Sequence, residues 1–569
     1  MSSANFYGKL DEAEQARLMA RRTTRRRIAV IAIASILLVA IVVGAVVGTR
    51  AAGDKSSGGG KKSKSLSTSV KAVCDVTLYK DSCYSSIAPR ANPDHLEPEN
   101  LFGISIEVAL DELSRASQYF SPSGEAYHGA NDNMTLAALQ DCQDLLGLAI
   151  DHLNTSLSTA GKSLFSSLDD LRSWLSSAGT CHETCIDGLL EANSTITAQD
   201  HLRNSTELTS NTLAIVTWLQ KVASSVNLRR RRLMSDEGTP HWLRPSDRKL
   251  LQSTTDVRKT ADFVVAKDGS GKYKTISAAL KDVPDKSKTR HVIYVKKGVY
   301  NENVRVEKSK WNVLIVGDGM SLTTVIGSKN VVDGTPTFQS ATFAVFGQGF
   351  IARDIGFRNT AGAIKHQAVA LMSTGDLSVF YRCSMDAFQD TLYLHSNRQF
   401  YRECNVLGTV DFIFGNSAAV IQNCNIMPRK PMQGQQNTVT AQGKADPNQN
   451  TGIAIQNCTI SPFGDLTGVK TYLGRPWKNY STTVIMSSAL GSLISPDGWL
   501  PWVGTSAPST IFYAEYKNSG PGASTKNRVK WKGLKLGLTA KQVTQFTVKP
   551  FIQGDQWIKG YGIGVSYGL

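Results

Sequence analysis

Two carboxylates, two amides and one arginine recur in this chain at intervals suited to ester hydrolysis by a pair of aspartates. Gln367 opens the block Gln367-Ala-Val-Ala-Leu371, Gln389 and Asp390 open Gln389-Asp-Thr-Leu392, and Asp411 opens Asp411-Phe-Ile-Phe-Gly415. The steps are 22 residues from Gln367 to Gln389 and 21 from Asp390 to Asp411. Downstream, Leu473-Gly-Arg-Pro-Trp477 fixes Arg475 and Trp477 between a glycine and a proline. One aspartate of such a pair must stay protonated, through partial burial beside a like-charged neighbour. The other must stay ionised, which a positioned arginine favours. Amide donors such as Gln367 and Gln389 can stabilise an oxyanion. Trp477, with Phe412 and Phe414, offers flat apolar surface of the kind sugars stack on. Amide and carboxylate ladders also serve purely structural ends, and any one of these motifs alone would be read that way. Their shared spacing favours a site.

Those intervals imply the scaffold. From residue 260 onward, short β-rich runs follow one another: His291–Val295, Asn312–Val316, Thr323–Ile326, Thr342–Phe346 and Ala368–Met372. No amphipathic helix of useful length separates them before the C-terminal region. An internal repeat carries the cysteines of Val379-Phe-Tyr-Arg-Cys383, Gln399-Phe-Tyr-Arg-Glu-Cys404, Val420-Ile-Gln-Asn-Cys424 and Ala454-Ile-Gln-Asn-Cys458, spaced 21, 20 and 34 apart. A period near 20 with one short apolar strand per copy means a solenoid. A right-handed parallel β-helix fits best; an antiparallel sandwich is weakened by the scarcity of hairpin turns. Positions one coil apart then stack at strand spacing, ~4.8 Å, so Gln367, Gln389 with Asp390, and Asp411 rise as a column on one face.

The elements upstream deliver this scaffold. Residues 1–27 are polar and end in an arginine cluster, and residues 28–49 carry no charge. That run is long enough to span a bilayer as a signal-anchor helix, with the N-terminus cytoplasmic; a long cleaved signal peptide is the alternative. Residues 50–69 form a flexible Gly/Ser/Lys linker. Residues 70–226 are helical: Leu136, Leu139, Cys142, Leu145, Leu146, Ala149, Ile150 and Leu153 trace one apolar face, and similar patterns at 102–119, 161–176 and 204–226 suggest a four-helix bundle. Residues 227–260 hold two basic clusters, 229–232 and 248–251, between unlike domains, where a processing protease can act. Residues 261–569 are the β-helix domain.

The formal charge is +16, from 63 Lys plus Arg against 47 Asp plus Glu. It suits an acidic polymer or anionic surface. Nucleic acid is excluded as a partner, because no recognition motif is present and the arginines flank the apolar span or sit in a linker. Nine cysteines without zinc spacing point to disulfides, not metal, with Cys74 and Cys83 stapling the helical region. Sequons at Asn133, Asn154, Asn193, Asn204, Asn457 and Asn479 agree with a secretory route.

Residues 261–569 resemble plant pectin methylesterases. The resemblance rests on Gly298-Val-Tyr-Asn-Glu302, on the four blocks above, and on Thr337-Phe-Gln-Ser-Ala-Thr342, Gly498-Trp499 and Asn518-Ser-Gly-Pro-Gly-Ala523. One departure is Ala387-Phe388, where the family has Gly before the aromatic. The resemblance implies hydrolysis of galacturonate methyl esters in pectin, without metal or cofactor. Asp411 is then the nucleophile, Asp390 the proton donor and later base, and Gln389 and Gln367 the oxyanion donors. Arg475 orients Asp411, and Thr337 and Trp477 contact the sugar chain. A disulfide Cys404–Cys424 is also implied. The helical region resembles pectin methylesterase inhibitor domains, implying Cys74–Cys83 and Cys142–Cys185, with Cys181 unpaired. It further implies a pro-region that blocks the cleft until cleavage; a folding or retention aid is the alternative. The precursor is then membrane-anchored in the secretory pathway and the mature enzyme extracellular, in the cell wall.

Rival readings are set aside on residues. A serine esterase needs a G-x-S-x-G nucleophile elbow, and none is read. A lyase or glycosidase on the same coil would not call for the paired glutamines and the Arg-Pro-Trp block. Intact Asp390, Asp411 and Arg475 argue against a decayed, merely pectin-binding domain.

Overall fold

A computed structural model describes residues 60–225 apart from 131 and 195, residues 260–558 and residues 563–569. The expected tail, signal anchor, residues 50–59 of the linker and both basic clusters lie outside the described residues; residues 60–69, expected as flexible linker, instead begin a helix, Gly60–Cys74. The chain divides into two compact units, 1–65 and 66–569; of the first only the start of helix α1, Gly60–Cys74, is described.

The helical part of the second unit continues with α2 (Lys80–Ile87), α3 (Pro98–Tyr119), α4 (Asn133–Ser163), α5 (Leu168–Glu191) and α6 (Ala198–Ser225). The four long helices, α3 to α6, share one core. Helix α4 starts where Asp132 accepts the Thr135 amide at 2.8 Å, satisfying one of the free N–H groups of the first turn. Its apolar stripe is buried as its spacing predicts, except that Ile150 is half-buried and Leu136 is 39% exposed at the rim. The pattern at 161–176 is not one helix. It crosses the α4–α5 joint, a 3-10 turn at Leu164–Ser166, and keeps its periodicity because Leu164, Leu168, Leu171 and Leu175 all face the same core. Disulfides Cys74–Cys83 and Cys142–Cys185 are both formed, and Cys181 is a buried thiol.

The remainder is a parallel β-helix of three sheets with eleven, eight and seven strands, every pairing parallel. Each central coil places one strand in each sheet, and the end coils add strands to the eleven-stranded sheet alone. Strands Ser378–Tyr381, Ser384–Asp386 and Leu392–Leu394 make one coil, and Arg398–Arg402, Asn405–Gly408 and Ile413–Gly415 stack on it as the next. The corner between the first two strands turns through a left-handed residue on successive coils: Asp354, Arg382, Glu403, Asn423 and Asn457 all have φ between 50° and 55°. A short helix missing from the sequence reading, Ile276–Asp282, buries Ile276 and Leu280 against one end of the coil interior. C-terminal helices carrying Val548, Ile552 and Trp557 cover the outer face of the eleven-stranded sheet.

The seven-stranded sheet carries the site. Its strands are β1 (Val304–Val306), β2 (Phe343–Val345), β3 (Leu371–Ser373), β4 (Leu392–Leu394), β5 (Ile413–Gly415), β6 (Asn437–Gln442) and β7 (Thr471–Gly474). Their central residues stack outward in register as Arg305, Ala344, Met372, Tyr393, Phe414 and Ala441. The helical bundle packs against this outer face: Ala344, Met372, Tyr393, Phe414 and Ala441 belong to the same apolar cluster as the bundle core.

Two expectations are corrected. Cys404 and Cys424 do stack, through the pairing of Asn405 with Asn425, yet both are free, as are Cys383 and Cys458. In register their side chains run parallel, and each sulfur is already engaged: the amides of Cys383, Cys404 and Cys424 donate to the sulfurs of Cys404, Cys424 and Cys458 at 3.3–3.4 Å. The implied disulfide is replaced by a ladder of thiols. In addition, the chain does contain one G-x-S-x-G string, Gly564-Val-Ser-Tyr-Gly568. It is no elbow, because the segment has no strand–helix context and the Ser566 backbone is tied to Gln422.

Candidate active site

The column expected from spacing is present, with one refinement. Asp390 and Asp411 each precede their strand by two residues, and the pairing of Leu392 with Ile413 stacks them on adjacent coils. Gln367 lies four residues before β3 whereas Gln389 lies three before β4, yet Gln367 and Gln389 bridge in parallel. The 22-residue coil therefore absorbs its extra residue between Gln367 and Leu371. Both aspartates occupy left-handed backbone, φ 62° for Asp390 and 50° for Asp411. Few non-glycine residues adopt it, and such positions concentrate where side chains are aimed at a task.

Asp411 is held on every side. Arg475 donates Nε to Oδ1 at 2.9 Å and to Oδ2 at 3.1 Å, and Nη2 to Oδ2 at 2.6 Å. The Thr438 hydroxyl donates to Oδ1 at 2.6 Å while accepting the Asp411 amide at 2.7 Å. Arg475 can reach because β7 comes close to β6: a Cβ on Gly474 would collide with the Thr440 side chain and carbonyl. The guanidinium also lies over the Trp502 ring, 4.3 Å from its centre.

Asp390 has the opposite surroundings. Its carboxyl is buried and takes no hydrogen bond among the described residues, and its pKa stands well above the usual carboxylate range. Burial is the main cause, the Asp411 and Glu191 charges add to it, and Arg475 opposes it. One carboxyl is thus forked to an arginine, while its neighbour is buried without a partner in surroundings that favour its protonated form. The side-chain amides of Gln367 and Gln389 are half-buried and, among the described residues, have no protein partner. Gln389 opens onto a cavity of about 400 Å³ that His366, Val410, Thr438, Arg475 and Leu500 help to line.

The apolar floor differs from the expectation in part. Phe414 stacks on Tyr393 one coil below, 4.2 Å between ring centres, and Trp477 lies 6.2 Å from Phe414. Phe412 is not part of it, being fully buried inside the coil. Tyr393 and Trp502 were missed. A lone tyrosine in Thr-Leu-Tyr-Leu gave a signal only through its 21-residue offset from Phe414, and Trp502, in a loop, gave none.

Over this floor lies α5. Its Glu191 accepts the Thr337 amide at 2.9 Å and the Thr337 hydroxyl. Lys478 pairs with Asp187 at 2.7 Å and Glu183 at 3.3 Å. Thr184 hydrogen-bonds His395 at 3.0 Å, and Asp170 accepts from Arg398 at 2.8 Å. The loop 443–451, part of the long 34-residue step, grips the same helix: Gln449 donates to the Ser176 carbonyl at 3.0 Å, and Arg172 donates to the Asn448 carbonyl at 3.0 and 3.1 Å. Thr337 and Trp477 both face the bundle, Thr337 through Glu191 and Trp477 through its packing against the shared apolar cluster. Among the described residues, no His/Cys/Asp/Glu cluster is arranged to hold a metal.

Comparison with known proteins agrees with this geometry. The family model described as Pectinesterase matches residues 262–555, and that of Plant invertase/pectin methylesterase inhibitor matches residues 68–215. The chain is 58% identical over 561 residues to an Arabidopsis thaliana protein named probable pectinesterase/pectinesterase inhibitor 46, covering 97% of this chain and 98% of that one. It is 56% identical to the Arabidopsis thaliana putative pectinesterase/pectinesterase inhibitor 24, covering 99% of each. Among solved structures, pectin methylesterase from carrot is 54% identical, with a TM-score of 0.54 over 54% of this chain and 98% of the carrot chain.

Proposed function

The chain belongs to the pectinesterase family, and from that premise we propose that it hydrolyses methyl esters of pectin through Asp411 and Asp390. The observation that carries the reading is the contrast between the two carboxyls, one forked to Arg475 and one buried without a partner. An Asp411 oxygen attacks the ester carbonyl of a galacturonate unit, and the tetrahedral oxyanion is held by the Gln367 and Gln389 amides. As the carbonyl re-forms, the C–O bond to methoxide breaks and Asp390 gives that oxygen its proton, releasing methanol. Asp390, now ionised, takes a proton from water. The hydroxide opens the acyl–Asp411 anhydride, freeing the galacturonate carboxylate and restoring Asp411. Thr337 and the Tyr393–Phe414–Trp477 floor contact the sugar chain.

The helical region is read as an inhibitor in cis. The support is the seat of α5 on that floor, with the Glu191 carboxylate on Thr337 and close enough to Asp390 to affect its proton. Cleavage at 229–232 or 248–251 would free the cleft. Secretion and glycosylation are supported by the sequons, all six of whose asparagines are exposed. The signal-anchor reading of 28–49 rests on its uncharged run alone.

The deciding experiment is methanol release from highly methylated pectin by residues 261–569, with Asp411→Ala alongside. Release by the former alone supports the reading. Release by both would move the nucleophile elsewhere.

A further inference from the structure

Among the described residues, cations of the β-helix form ion pairs with carboxylates of the helical region: Arg305 with Asp144, Lys308 with Asp151, Arg398 with Asp170, and Lys478 with Glu183 and Asp187. They differ in what remains when the helical carboxylates are gone. Arg305 keeps Glu307 and Arg398 keeps Asp376, both within the β-helix, and Lys308 is an exposed surface side chain. Lys478 is different. With the helical region docked its side chain is 23% exposed, and among the described residues no carboxylate of the β-helix pairs with it. A lysine in a protein wall whose countercharges are supplied only by a separable element is built to meet an anion from outside.

Its position says which anion. Lys478 directly follows Trp477, and its ammonium lies 5.6 Å from the centre of that ring. Arg475, three residues earlier, holds Asp411, and β7 lies two coils beyond β5. At ~4.8 Å per coil the lysine stands roughly 10 Å along the cleft from the nucleophile, farther than one sugar ring. The helix occupying the cleft supplies a template of the missing ligand. Glu183, Asp187 and Glu191 recur every four residues, so they share one helix face, spaced about 6 Å apart. Two of them sit on Lys478, and the third bonds Thr337 while its charge also acts on Asp390. The α5 face is thus a row of carboxylates laid along a row of sugar contacts.

We propose that Lys478 is a specificity-determining residue that binds the free carboxylate of a galacturonate unit near the unit whose ester reacts. Glu183 and Asp187 stand in for that carboxylate while the helical region is docked. The inference rests on the esterase reading above. It predicts that the enzyme favours esters with an already hydrolysed neighbour over the same esters in a fully methylated chain.

The test compares kcat/KM for methanol release from fully methylated pectin and from the same pectin with half its esters removed in runs. The protein is residues 261–569, a stretch comparable in extent to the complete carrot chain, as wild type, Lys478→Gln and Lys478→Arg. The wild type should prefer the partly hydrolysed polymer, and Lys478→Gln should lower that preference about tenfold, the scale of one charge-assisted hydrogen bond. Lys478→Arg should restore most of it, and added salt should erode it in the wild type. A preference that survives in Lys478→Gln, or that Lys478→Arg fails to rescue, would overturn the proposal while leaving the esterase intact. Absence of methanol from the wild type on both polymers would overturn the esterase reading and this inference with it.

Discussion

Arg475 reaches across two coils to grip both oxygens of Asp411, with three contacts between 2.6 and 3.1 Å. A planar fork of this kind fixes direction as well as charge, which a lysine cannot do. Arg475→Lys should therefore lower kcat for methanol release by about 10² or more, since misdirection of a nucleophile is costly. Arg475→Ala should do worse, because it removes all three contacts that aim the Asp411 carboxylate. Steady-state kinetics across pH would check both; a Lys variant with wild-type kcat would contradict the role given to the fork.

Asp390 lends itself to a stability test. Its folded pKa is raised, chiefly by burial. A carboxyl with a raised pKa stabilises the fold below its unfolded pKa and loses that contribution as pH rises through the folded value. At neutral pH its ionised form is thus a burden, while at pH 3 the burden is absent. Asp390→Asn should abolish methanol release and raise the melting temperature at pH 7, with little change at pH 3. Thermal melts at the two pH values give the answer; an equal effect at both would mean that burial is not straining this group.

Glu191 tests the cis inhibition. In the full chain, Glu191→Ala removes the acceptor of the Thr337 amide and hydroxyl and a carboxylate near Asp390. Methanol release by the uncleaved full chain should rise severalfold over wild type. If it stays at the wild-type level while residues 261–569 are active, then Glu191 does not hold the cleft shut.

The thiol ladder makes a countable prediction. Cys181, Cys383, Cys404, Cys424 and Cys458 are free and buried. Alkylation without reductant should label none of them in the folded protein and all five after denaturation. A protein labelled at only three after denaturation, with Cys404 and Cys424 spared, would restore the disulfide that the resemblance implied.

The Tyr393–Phe414 stack should carry polymer binding. Phe414→Ala removes a buried ring against Tyr393 and near Trp477. A loss of about 3 kcal/mol in stability is expected from cavity formation. In residues 261–569 the KM for pectin should rise more than kcat falls. Tyr393→Phe, which keeps the stack, should leave KM near wild type.

The sequence by itself determined the periodic part of this protein. Gln389, Asp390 and Asp411 were legible because a coil of fixed length turns sequence offset into spatial stacking, so that 21 residues mean one strand spacing. Arg475 and Trp477 were legible through the glycine and proline that fix them. The apolar period of Leu139 to Leu153 likewise sufficed for α4, since the helix repeat alone decides which side chains share a face. Three things only the tertiary structure decided. Phe412 and Phe414 look alike in Asp-Phe-Ile-Phe-Gly, yet one lies inside the coil and the other on its floor, because the turn before β5 sets where the alternation begins. Cys404 and Cys424 stack as their spacing required, but bonding depends on side-chain direction, and sulfurs pointing the same way accept amides instead. The meeting of Glu191 with Thr337 and of Asp187 with Lys478 joins residues 146 and 291 apart. No period links a helix to a coil, so such contacts arise only where two finished surfaces fit.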